Sequence, residues 1–150
     1  MINLELQKRG FTEAMLKFNG LKKKLKDYRT PLSQIAVEMI GSVARNFKEQ
    51  GTDKEKWKPL AASTITNYMR RKGKKSTPPF IILRDTGSLL NSIGPKITID
   101  RAIVSTNMAK APALHFGSEK KNIPARPYMT LRADAVARIK AIARDWAFGV

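Results

Sequence analysis

Cysteine is absent from the 150-residue sequence, which excludes disulfides and thiolate metal sites. Histidine occurs once, at His115. An imidazole-based metal site needs two or three such ligands, so no such site is expected; no cofactor is expected either. Long apolar runs are missing too. The longest wholly apolar cluster is residues 80–83, far below the roughly 18 residues that would suggest a membrane-spanning helix. Residues 1–10, MINLELQKRG, carry no apolar core of a secretory signal. A soluble intracellular chain that does not engage membranes is the expectation. Acidic residues are the last scarcity. Twelve Asp and Glu stand against 29 Lys and Arg, leaving a formal net charge of +17. A field of that sign favours anionic partners, whether nucleic acid, anionic lipid or an acidic protein surface.

What is present follows clear periodicities. Ile2, Leu4 and Leu6 alternate with polar residues, as in a half-buried strand ended by Gly10. Phe11, Met15, Phe18, Leu21, Leu25 and Tyr28 then recur at helical spacing, with Thr12 as N-cap and Lys22, Lys23, Lys24 and Lys26 on a solvated face. Thr30-Pro31 opens a second helix, whose apolar stripe is Leu32, Ile35, Ala36, Met39, Ile40, Val43 and Phe47. Gly51 is placed to end it as a left-handed cap. Residues 51–59 form a polar loop whose lone indole, Trp57, anchors it to the core together with Leu60.

A shorter helix is expected over residues 61–72, followed by the densest run of one charge: Arg70, Arg71, Lys72, Lys74 and Lys75. With Ser76-Thr77-Pro78-Pro79 behind it, this run predicts an exposed, mobile arm able to contact phosphates or an acidic partner. Residues 80–83 read as a buried strand or turn, and Asp85-Thr86-Gly87-Ser88 as cap chemistry. Leu89, Leu90 and Ile93 fit a short helix. Two β-branched runs around Asp100-Arg101 predict a hairpin over residues 96–106. Leu131, Ala135, Ile139, Ile142 and Trp146 predict a closing amphipathic helix. The architecture expected is α+β: a small antiparallel sheet packed against two long N-terminal helices and a C-terminal helix.

Catalytic chemistry is poorly supported. His115 has no evident nucleophile beside it, and reads as a structural histidine at the edge of a short helix. The stretch GSLLNSIG lacks the spacing and the lysine of a phosphate-binding loop. Asp85, Asp100, Asp134 and Asp145 are scattered at positions that caps and turns use. No catalytic residues are assigned, and an enzyme is not expected. A nucleic-acid binder would grip phosphates with residues 70–75 and stack a base on Tyr68, without sequence specificity.

Several short motifs occur in a recognisable order. Asn46-Phe47 at a helix end precedes Trp57-Lys58-Pro59-Leu60 and Ser63-Thr64. After an Arg/Lys-rich gap come Ile82-Leu83, Asp85-Thr86-Gly87-Ser88-Leu89 and Ser92-Ile93. A strand pair leads to His115-Phe116-Gly117, and Ile123-Pro124-Ala125-Arg126-Pro127-Tyr128 closes the series. This series resembles the phage virion morphogenesis family, the tail-completion and head–tail joining proteins of tailed phages and Mu-like prophages.

The resemblance implies a single virion-morphogenesis domain over residues 1–150, acting as a non-enzymatic structural part. It further implies a homo-oligomeric ring at the neck, contacts with other neck or tail proteins, and residence in the virion after assembly in the host cytoplasm. The runner-up is a sequence-nonspecific nucleic-acid-binding protein, contacting the DNA backbone only. On the family reading, His115, Phe116, Ser118, Glu119, Lys120, Lys121, Asn122 and Arg126 are the expected partner or oligomer contacts. Trp57, Leu60, Gly87 and Leu89 are the structural anchors. Prolines fix φ on either side of Arg126 and so present it at a set angle, while residues 118–122 reshape on docking. The alternative is that this segment is an extended connector whose arginine pairs locally.

Overall fold

A computed structural model describes residues 27–72 and 80–149, together with Gly20. The expected strand at residues 2–6, most of the first helix with its lysine cluster, and Lys74 to Pro79 of the basic arm lie outside the described residues.

Helix α1 spans Arg29–Glu49. Pro31 falls in its first turn, where a missing N–H costs nothing because no intrahelical acceptor faces it. Its C-cap is not Gly51. Gln50 takes the left-handed conformation (φ 53°), and its side-chain Oε1 accepts from the Ile82 N–H at 2.9 Å. That tie holds a non-glycine residue in a costly region. Gly51 is needed next door for a different reason. A Cβ there would sit 2.6 Å from the Glu55 carbonyl oxygen, where the loop turns back to pair Gly51 with Lys56.

Helix α2 covers Ala62–Lys72 and the short α3 covers Ser88–Asn91. Strands β1 (Gly94–Ile97) and β2 (Ala102–Ser105) pair antiparallel, Gly94 opposite Ser105 and Ile97 opposite Ala102. The Thr98 N–H donates to the Arg101 carbonyl (2.9 Å) to close the hairpin. Helix α4 (Ala111–Phe116) and a 3₁₀ turn (Glu119–Lys121) precede α5, Ala133–Phe148.

A two-stranded hairpin is marginal by itself. Here α1 packs against both strands and against α5, which gives the expected α+β architecture. Helices α1 and α5 run antiparallel. Tyr28 meets Trp146 in a tilted ring contact (5.0 Å) at one end, while Arg132 pairs with Glu49 (2.9 Å) and Asp53 (2.8 Å) at the other. The core is Val43, Phe47, Trp57, Ile82, Leu89, Ala111 and Tyr128. It lies at the C-terminal end of α1, beneath the loops that carry the sequence motifs.

Candidate functional site

The motif residues have definite physical tasks. The Thr86 hydroxyl accepts from the Ser88 N–H (3.3 Å). Gly87 supplies φ 76° at the N-cap of α3, and Leu89 plugs the core at 2% exposure. Ser92 then ties the turn to Thr106 (2.6 Å) in β2's flank. Trp57 is buried against Phe47, edge to face at 5.8 Å, and Leu60 packs on the same core. All four expected anchors thus occupy the core or the turn that seals it.

Glycine is required at Gly117. Its φ of 83° with ψ of 172° is accessible to little else. A Cβ would also approach the Ala125 nitrogen to 2.9 Å. This close approach brings the His-Phe-Gly corner onto the Pro-Ala-Arg-Pro segment, and the Arg126 N–H donates to the Leu114 carbonyl (3.1 Å). Between them, residues 118–123 close into a tight turn. Ser118 and Ile123 exchange backbone hydrogen bonds of 2.8 and 2.9 Å, and Asn122 takes φ 50°.

Four of these segments border one cleft of about 1330 Å³. Lys58 to Ala61 and α2 form one wall, the Asp85–Leu89 turn another, and residues 117–126 a third. Of the eight predicted contact residues, Phe116, Ser118, Glu119, Lys121, Asn122 and Arg126 line it; His115 and Lys120 do not. From the described part of the basic run, Arg71 reaches the cleft and Arg70 does not. Arg71 is already engaged, pairing with Asp85 at 2.6 Å and lying over the Tyr68 ring at 5.0 Å. Sequence reasoning missed this pair, since nothing local links positions fourteen apart across a proline-rich gap.

Arg126 corrects an expectation. It is not displayed on the surface: the side chain is 6% exposed. Its Nε and Nη2 donate to the Lys58 carbonyl (3.3 and 3.1 Å), and Nη2 also to that of Pro59 (3.3 Å). Burial lowers its pKa from the ordinary value, yet a guanidinium stays charged. The local-pairing alternative describes the unbound chain, although the side chain still borders the cleft. Charge reversal at Arg126 therefore tests the fold as much as any contact.

A line of rings connects the core to the cleft's lip. Phe47 meets Tyr128 (5.3 Å), Tyr128 meets His115 (5.1 Å), and His115 meets Phe116 (4.6 Å). Burial pushes the His115 imidazole below its usual range. In its neutral form Nδ1 accepts from the Met129 N–H (3.4 Å). Phe116 ends the line 77% exposed, a large aromatic side chain presented to solvent. Among the described residues, no group of three His, Cys, Asp or Glu is arranged to hold a metal ion. No described helix is long and apolar enough to cross a membrane.

Taken together, this is a small basic α+β protein whose motif residues border one cleft. Residues 10–147 match the phage virion morphogenesis family, and the chain belongs to that family. It is accordingly a virion-associated protein with a role in phage assembly. The chain is also similar to an uncharacterized protein of Methanocaldococcus jannaschii, 35% identical over 101 residues, which cover 64% of this chain and 71% of that protein. No solved structure matches it.

Proposed function

We propose that this protein acts at tail completion or head–tail joining, as one domain over residues 1–150. In this reading it forms a homo-oligomeric ring at the neck, enters the virion from the host cytoplasm, and docks onto other neck or tail proteins through the cleft. One observation carries this reading: separate motif segments, distant in sequence, converge on a single cleft with an exposed aromatic at its lip. Aromatic residues are enriched at the cores of protein–protein interfaces, so an exposed ring beside a cleft suits a docking contact. The chemistry is positional rather than catalytic.

The competing reading is nonspecific DNA binding, and the two part company under salt. A +17 chain adheres to DNA at low ionic strength whatever its task. At about 0.15 M salt a dedicated binder neutralising roughly six or more phosphates still holds DNA, with a steep salt slope. The assembly reading predicts release of DNA there, and restored infectivity when the purified protein is added to particles assembled without it. Retention of DNA with no restored infectivity would favour the nucleic-acid reading.

A further inference from the structure

Arg126 holds an unusual position for a charge. It is 6% exposed, its hydrogen bonds go to the carbonyl oxygens of Lys58 and Pro59, and no ion pair joins it to any acid among the described residues. Carbonyl dipoles solvate a guanidinium but do not neutralise it, and a buried charge without a counter-ion is costly. Its Nη1 makes no hydrogen bond among the described residues, and the side chain borders the cleft. The three cationic side chains Lys58, Lys110 and Lys121 stand exposed around the same opening, unpaired among the described residues. Leu60, Leu114, Ile123 and Pro124 supply half-buried apolar surface between them.

We infer that the cleft receives an extended acidic polypeptide segment of an assembly partner, one carboxylate of which pairs with Nη1 of Arg126. This rests on the assembly reading and names the chemistry of the partner. A side-chain carboxylate is slim enough to reach a guanidinium set this deep, and pairs with it in strong charge-assisted geometry. A phosphodiester backbone is better served by exposed cations along a groove, and by open faces on which bases stack. A second copy of this chain is a poor source of the segment. Its acids are few, and of those described only Glu55 and Glu119 make no ion pair with the described arginines, Glu119 standing on the rim of this same cleft. Apolar side chains flanking the carboxylate would lie on Leu60 and Ile123, with Phe116 covering the exit.

The test uses the intact, nitrogen-15-labelled protein at physiological ionic strength, titrated with a short peptide of Ser-Leu-Asp repeats. The same peptide with Asn for Asp, and an oligothymidylate, serve as the comparison probes. The expected result is saturable movement of the Arg126 Nε–Hε resonance and of the amides of residues 117–126 by the Asp peptide, with affinity roughly tenfold or more above the Asn peptide. Arg126 supports the fold, so the second arm uses Lys121→Glu, an exposed change that should weaken the Asp peptide and leave the melting temperature in place. Equal binding of the two peptides overturns the inference, as does movement confined to other surfaces. So does tighter binding of oligothymidylate at the Arg126 resonance. A protein that restores infectivity yet ignores the Asp peptide defeats this inference alone. One that binds the peptide in the cleft but restores nothing defeats the neck reading instead.

Discussion

Truncating Trp57 to alanine is expected to destabilise the protein by about 3–5 kcal/mol, the range for large aromatic truncations in a core. The indole is 5% exposed and meets Phe47 edge to face, and its backbone N–H donates to the Gln50 carbonyl (2.9 Å). It is therefore the seat that fixes the loop following α1. Because Lys58 and Pro59 follow it directly and supply the acceptors for Arg126, losing it should loosen the cleft wall as well. Trp57→Phe is a sharper companion. The indole Nε1–H is buried and has no hydrogen-bond partner among the described residues, so phenylalanine removes a donor they leave unsatisfied while keeping most of the packing. Urea denaturation followed by circular dichroism should show a large loss for alanine and a much smaller one for phenylalanine. Equal losses would mean that the nitrogen is engaged, and no loss with alanine would mean that the ring is not part of the core.

Asn46→Ala is expected to cost about 2–4 kcal/mol, given penalties of roughly 1–3 kcal/mol for each buried polar group left unpaired. Asn46 is fully buried on α1. Its side-chain amide donates to the carbonyls of Tyr128 (3.1 Å) and Thr130 (2.9 Å), and to the Thr130 hydroxyl (3.1 Å). These bonds hold the chain between Arg126 and α5 against the helix. Asn46→Leu should also fail, because it fills the space yet removes the donor to the Tyr128 carbonyl and leaves the Thr130 carbonyl with the Ser42 hydroxyl (3.2 Å) alone. If leucine is tolerated, these contacts matter as packing and the polar account is wrong.

The periodic parts of this fold were legible because local pattern decides them. The α1 stripe, the hairpin around Asp100-Arg101 and the α5 stripe from Ala135 onward each lie where apolar spacing predicts, since each element buries one face and exposes the other. Leu131, the first residue of the expected closing stripe, precedes the helix and is exposed. What the sequence did not reveal depends on distant backbone. Gln50 rather than Gly51 takes the left-handed cap because the Ile82 N–H, 32 positions away, holds its side chain. Arg126 turns inward because acceptors 67 and 68 positions away lie beneath it. Prolines fix the backbone around an arginine, yet they do not say which way the side chain points. Apart from Lys110 and Leu114, the residues of the cleft lie in segments named in the sequence, but their meeting was not named there. Gly117 is the corner at which they meet, and its requirement shows only in its backbone angles and the close approach to Ala125.

The central claim is that this cleft is a docking surface for virion assembly, and infectivity restored by added protein tests it most directly. Particles assembled without this protein would be supplied with wild type, with Phe116→Asp, or with Val37→Asp. Phe116 and Val37 are both strongly exposed, at 77% and 69%, so neither change should disturb the fold. Phe116 lies on the cleft, whereas Val37 lies on α1 and is not among the residues bordering it. The account predicts that Phe116→Asp lowers rescue by roughly tenfold or more, as removal of an interface anchor does, while Val37→Asp rescues like wild type. Full rescue by Phe116→Asp together with loss at Val37 would place the docking surface on α1 and contradict the account.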